Sequence, residues 1–250
     1  MTTAPAQATR QRGALGTIIL VALLIPLIIV LLASPLLIRT FLFQPFSTPS
    51  GSHMPTLLVG DYMLVSKYSY GYTRYSFPFS PPLAVISERI FPSEPERGDV
   101  VVFRLPKDPS TDYVKRVVGL PGERIQMING VLHINGIAVR RERIEDFVEA
   151  EGTGRQSRIK QFRETLPNGA SHNTLDLMEN GFYDNTKEYR VPAGHYFMMG
   201  DNRDNSTDSR VETAVGYVPA ENLIGRVQVI FWSLGEGGRI RTERIGMKVR

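Results

Sequence analysis

Three stretches of this sequence concentrate hydroxyl, amine and carboxylate side chains: Pro49-Ser50-Gly51-Ser52-His53-Met54-Pro55-Thr56-Leu57, the run Asp112 to Gly122 (DYVKRVVGLPG), and Gly200 to Arg210 (GDNRDNSTDSR). A serine in a Gly-Ser turn has no activation of its own, so Ser50 and Ser52 taken alone are ordinary loop residues. A deprotonated lysine within hydrogen-bond reach changes that. It can take the hydroxyl proton and make serine a nucleophile without histidine or aspartate. Lys115 is the candidate amine. Side chains alternate along a strand, so Tyr113, Lys115 and Val117 share one face and Val114, Arg116 and Val118 the other, and one of the two cations has to face inward or toward a cleft. Lys115 then has two readings. It is an edge lysine whose stem lies along apolar surface, or it is an amine whose burial disfavours the ammonium form and lowers its pKa toward neutrality.

Other chemistry finds less support. The absence of cysteine excludes thiol catalysis, disulfides and thiolate metal sites. Ser157-Arg158-Ile159-Lys160 fits the S-x-x-K pattern, but no K-T-G follows it. The third stretch is acidic like a calcium loop, yet it lacks the glycine and distal glutamate of an EF-hand. His133, His172 and His195 have no metal-ligand spacing and read as satisfied or solvated imidazoles. No metal and no cofactor is implied.

The elements that must position these residues are mostly β. Val100 to Arg104, Tyr113 to Val118, Arg124 to Ile128, Val131 to Ile134, Ile137 to Arg140, His195 to Met199 and Ile224 to Trp232 have the length and the β-branched or aromatic content of strands. Asn129-Gly130 and Asn135-Gly136 separate three of them as two-residue hairpin turns. From 140 to 188 the chain turns polar, with Gly152-Thr153-Gly154 and Pro167-Asn168-Gly169. This reads as a solvated accessory insertion of strands or loops with no direct part in chemistry.

Ahead of this body, no charged residue occurs from Gly13 to Ile38. At ~1.5 Å per residue the run covers the ~30 Å hydrocarbon core of a bilayer. A cleavable signal peptide has a shorter apolar region, and no small-x-small site stands clear of proline here, so an uncleaved anchor over 14–38 is expected. Pro26 and Pro35 are tolerable in such a helix. The run Pro81 to Ile86 is too short to span. Arg10 and Arg12 precede the anchor and only Arg39 follows it closely, which leaves residues 1–13 in the cytoplasm and the body on the outer face of the cytoplasmic membrane. Trp232 and the basic tail from Arg239 to Arg250 have two readings, a second contact with a lipid surface or a core tryptophan followed by a solvated tail. A mean hydropathy of −0.13 rules out a polytopic protein. With 29 basic against 25 acidic residues, a formal +4, the chain lacks the dense basic stripe of a nucleic-acid binder. No nucleic-acid partner is expected.

In this order and behind an anchor, PSGSHMPTL, GDYMLVSKYSYG, RGDVVVFRLP, DYVKRVVGLPGE and GDNRDNSTDSR resemble the bacterial type I signal peptidases (leader peptidases) across essentially the whole body. The resemblance implies a coiled antiparallel β-sheet catalytic domain, formed by 39–139 and 189–250, that removes signal peptides from exported preproteins after small residues. It implies Ser52 as nucleophile and Lys115 as general base. It implies the Ser50 hydroxyl and the Ser52 N–H as oxyanion donors, Ser206 as the group orienting the lysine, and the pairs Asp201–Arg116 and Asp208–Arg210 as supports. Pro49, Tyr113 and Val114 fall to the substrate cleft. One position departs from the family pattern: His53 stands where methionine is usual, and it is expected to line or border that cleft. Neighbours in an extended segment point to opposite sides, so His53 is badly placed to take the Ser52 proton. The alternative function is a non-catalytic, membrane-tethered β-domain that binds exported proteins through a sheet edge.

Overall fold

The computed structural model describes residues 5–77, 89–150 and 156–250. The run Pro81 to Ile86 and the Gly152-Thr153-Gly154 turn lie outside the described residues. Helix α1 (Pro5–Leu37) carries Pro26 and Pro35 without ending, and a π-helical turn (Ile38–Leu42) prolongs it. Leu20–Leu42 is a 23-residue stretch long and apolar enough to cross a membrane, and most of its large apolar side chains are exposed. Helical geometry therefore runs four residues beyond Ile38 and feeds directly into the first strand. Aromatic rings brace this junction: Phe41 stands edge-on to Tyr72 and Phe77, and the Tyr72 hydroxyl donates to the Phe41 carbonyl at 2.8 Å.

The body is antiparallel β. Its strands are β1 (Phe43–Ser47), β2 (Asp61–Ser66), β3 (Val100–Leu105), β4 (Asp108–Gly119), β5 (Arg124–Ile128), β6 (Val131–Ile134), β7 (Ile137–Ala138), β8 (Arg140–Ala150), β9 (Gln156–Thr165), β10 (Ser171–Asp176), β11 (Tyr189–Arg190), β12 (His195–Met199), β13 (Val218–Pro219) and β14 (Leu223–Ser233). Seven of them form one sheet in the order β1-β2-β14-β3-β4-β12-β13, and β11-β5-β6-β7 form a second. Asn129, Gly130, Asn135 and Gly136 all have positive φ, as type I′ hairpin turns require. The expected strand Ile137 to Arg140 divides instead, ending β7 at Ala138 and opening β8 at Arg140.

Both faces of the large sheet are covered. Along β3, Val100 and Val102 join one apolar cluster with Val65, Val227 and Ile230, while Val101 and Phe103 join another with Val117, Met198 and Leu223. The expectation that one cation of the neighbouring β4 faces inward or toward a cleft is met by both. Lys115 and Arg116 point to opposite faces of a central strand and both are buried.

The polar stretch forms a third sheet, β10-β9-β8, and it is less detached than its composition suggests. Glu164 on β9 is buried and holds the Arg203 guanidinium through two hydrogen bonds of 2.8 and 2.5 Å. The Leu175 N–H donates to the Asp201 carbonyl, and the Arg203 N–H returns to the Leu175 carbonyl. Ser157-x-x-Lys160 lies on β9, where Lys160 pairs with Glu179 on the surface.

Candidate active site

The large sheet brings the second and third stretches together through strand pairing. On β4, Arg116 is opposite Met199 of β12, and the chain leaves β12 directly into Gly200-Asp201-Asn202. The first stretch arrives from the edge strand β1. Ser50 is extended and Gly51–His53 form one 3-10 turn. Backbone and side chain of Asn202 clamp this turn, the N–H donating to the Ser52 carbonyl at 3.2 Å and Nδ2 to the Gly51 carbonyl at 3.1 Å. The serines thus approach each other by a turn rather than by strand alternation, with Ser50 Oγ 3.4 Å from Ser52 Oγ.

Lys115 Nζ lies 2.7 Å from Ser52 Oγ. The lysine is 3% exposed, and burial pushes its pKa from 10.5 down to about 8 against the pull of Asp208 and Asp201. A useful fraction of neutral amine therefore exists near neutral pH, which a base accepting the serine proton needs. The Tyr113 ring covers the same face, its centre 5.4 Å from Nζ.

Two buried ion pairs support this arrangement. Arg116 donates from Nε and Nη2 to the two oxygens of Asp201 at 2.8 and 2.7 Å, and Arg210 donates likewise to Asp208 at 2.9 and 2.8 Å. Burial alone raises both carboxyls, but the arginines outweigh it and hold them below the usual carboxylate range. Satisfied in this way, the acids remain ionised without taking a second cation. A cleft of about 710 Å3 opens over Ser52 and Lys115, with Pro49, Ser50, Tyr113, Val114 and Ser206 among its walls.

Two expected placements are corrected. His53 does not line the cleft. The 3-10 turn carries its ring into the interior, where it is fully buried and Nδ1 accepts the Asp201 N–H at 3.2 Å. Ser206 does reach the cleft wall, but its buried hydroxyl makes no hydrogen bond to Lys115 among the described residues. The hydrogen bond that Lys115 Nζ does make goes to Ser52 Oγ.

Several participants escaped the sequence reading. Thr56 Oγ1 donates to Asp201 Oδ2 at 2.5 Å, and Arg116 Nη2 reaches the same hydroxyl. His172 is not solvated: it is buried between Glu164 and Asp201, 3.7 and 3.8 Å from their oxygens. Burial first, then Arg116 and Arg203, keep its ring neutral, with Asp201 opposing. Thr56 and Asn202 at least sit inside the flagged stretches. Glu164 and His172 belong to strands with no local signal of their role. Among the described residues no group of three or more His, Asp or Glu is arranged to hold a metal ion.

Comparison with known proteins identifies a family. Residues 18–232 match the family model described as signal peptidase, peptidase S26. Signal peptidase I of Rickettsia typhi is 43% identical over 204 residues, covering 79% of this chain and 75% of that protein. Signal peptidase I of Rickettsia conorii is 44% identical over 204 residues, covering 79% and 74%. A crystal structure of a signal peptidase I from Enterococcus faecalis aligns at 25% identity and a TM-score of 0.34, over 54% of this chain and 97% of that one.

Proposed function

The chain belongs to the signal peptidase, peptidase S26, family and is a serine endopeptidase that cleaves signal peptides; on that premise we propose that Ser52 is its nucleophile and Lys115 its general base. The observation that carries this assignment is the 2.7 Å contact between Ser52 Oγ and a buried lysine amine of lowered pKa. Ser52 Oγ attacks the scissile carbonyl while Lys115 Nζ takes its proton. The Ser50 hydroxyl and the Ser52 N–H donate to the oxyanion as it develops. The Lys115 ammonium then protonates the departing amine, leaving an acyl-enzyme and a neutral lysine. Water, deprotonated by Lys115, attacks the ester and releases the signal peptide with its new carboxylate.

The substrate segment lies in the cleft beside Pro49, Tyr113 and Val114, with the Arg116–Asp201 and Arg210–Asp208 pairs beneath it. The protein is membrane-anchored. We place its N-terminus in the cytoplasm and its body on the outer face, where exported preproteins emerge, on the charge asymmetry of Arg10 and Arg12 against Arg39. Anchoring brings the serine close to a substrate that is itself embedded in lipid.

Preprotein cleavage by the full chain in lipid-detergent micelles tests the dyad. Ser52→Ala and Lys115→Ala each abolish turnover, and the double variant is little worse than either, because the two act as one unit. Normal turnover by Lys115→Ala would sink the assignment. A chain that binds preproteins but cleaves none favours the tethered β-domain instead.

A further inference from the structure

His53 follows the nucleophile in the chain, yet its ring is buried away from the cleft, with Nδ1 accepting the Asp201 N–H at 3.2 Å. Asp201 is held by Arg116 through two hydrogen bonds, and Arg116 follows the base. The nucleophile and the base are therefore linked twice. One link is direct, Ser52 Oγ to Lys115 Nζ. The other passes beneath the site, from Ser52 to His53 by a peptide bond, to Asp201 by a hydrogen bond, to Arg116 by an ion pair, and to Lys115 by a second peptide bond.

We propose that His53 is a positioning residue, whose Nδ1 locks the Gly51–His53 turn onto Asp201 and thereby sets Ser52 Oγ opposite Lys115 Nζ. The inference rests on the Ser52–Lys115 assignment. Three hydrogen bonds hold the turn to the third stretch, and the other two come from Asn202 to backbone carbonyls. Only the His53 bond depends on a side chain of the turn itself. Its geometry also defines the tautomer: Nδ1 is an acceptor, so the proton sits on Nε2. The acceptor persists across the working range because burial, opposed by Asp201 and aided by Arg116, Lys115 and Arg203, lowers the ring's pKa to about 3. A methionine here fills space but offers no comparable acceptor, so the turn loses one of its three ties.

Three variants of the full chain separate positioning from packing. His53→Asn places an amide oxygen near the position of Nδ1. His53→Gln carries the same amide one bond further, and His53→Met carries none. Expected is a kcat for the Asn variant within about threefold of the parent and losses of roughly ten- to hundredfold for Gln and Met, with KM nearly unchanged, since small displacements of reacting atoms act on kcat. Thermal unfolding is followed in parallel. Equal kcat in all three variants, a rise in KM at constant kcat, or a loss that simply tracks the folded fraction in all three overturns the inference. Ser52→Ala runs alongside as a separate control. If it still cleaves, the dyad assignment fails; if it is dead while the His53 series is flat, only the role of His53 fails.

Discussion

Gly200 lies so close to Ser52, the proposed nucleophile, that a Cβ built on it stands 2.5 Å from the Ser52 carbonyl oxygen and 2.6 Å from Ser206 Cβ. Glycine is required by this approach, since a methyl group there pushes the third stretch off the Ser52 turn. The Ser206 hydroxyl is in the way as well, and the Ser52 obstacle is backbone, which cannot swing aside as a side-chain end can. Gly200→Ala is expected to lower kcat by about a hundredfold or more through displacement of the dyad and to cost about 1–3 kcal/mol of stability through overpacking. Steady-state kinetics and thermal unfolding check both, and an alanine variant with parental kcat removes the close approach from the account.

The Lys115 pKa of about 8 makes kcat pH-dependent in a definite direction. With Lys115 as the proposed base, neutral amine is the active form, so kcat is expected to fall about tenfold per pH unit below 8 and to level above it. The linked effect on stability has the same sign. Between about 8 and 10.5 the unfolded chain binds more protons at this lysine than the folded one, so this group's contribution to stability rises with pH across that window. A kcat that stays level as pH falls through 8 contradicts Lys115 as the base.

Ser50 stands 3.4 Å from Ser52 Oγ and opens into the cleft, where it can reach the oxyanion that develops on the substrate carbonyl when Ser52 Oγ attacks it. Ser50→Ala is expected to lose two to three orders of magnitude in kcat, roughly the effect of removing one such donor, with a much smaller change in KM. Unchanged kcat leaves Ser50 only a role in shaping the turn.

Trp232 is the chain's single tryptophan and is 39% exposed at the end of β14. It pairs with Tyr62 of β2, and the Tyr62 and Phe231 rings meet edge-on at 6.2 Å. The basic tail contributes less to a lipid contact than its sequence suggests. Arg244 is consumed by buried Asp61 and the Thr56 carbonyl, and Arg241 by the Val59 and Leu234 carbonyls. Arg239, Lys248 and Arg250 stay exposed. Expected is quenching of Trp232 fluorescence when the intact protein is reconstituted into bilayers with brominated acyl chains, because exposed aromatic side chains of this kind settle at the interface. Emission unchanged from that in detergent with water-filled surroundings leaves the anchor as the sole attachment.

What the sequence determined by itself was local and periodic. The uncharged run after Gly13 announces a helix, alternation and β-branching mark β5, β6, β12 and β14, and the two Asn-Gly pairs dictate hairpin turns because few other residues accept positive φ at both positions. It also isolated the three stretches that hold Ser52, Lys115 and Asp201. Tertiary structure decided everything that depends on residues far apart in the chain meeting in the interior. Periodicity allows one buried face for β4, but β3 and β12 flank it within a covered sheet, so Lys115 and Arg116 are both desolvated and their consequences differ: an amine of lowered pKa against Ser52 on one side, a bidentate partner for Asp201 on the other. The 3-10 turn at Gly51–His53 sends His53 inward, which no pattern of hydrophobicity encodes. Glu164 and His172 lie in the polar stretch that reads as a solvated insertion. They are buried because Arg203 and the Arg116–Asp201 pair lie against β9 and β10, and a carboxylate or imidazole enters an interior only where such partners offset its lost hydration.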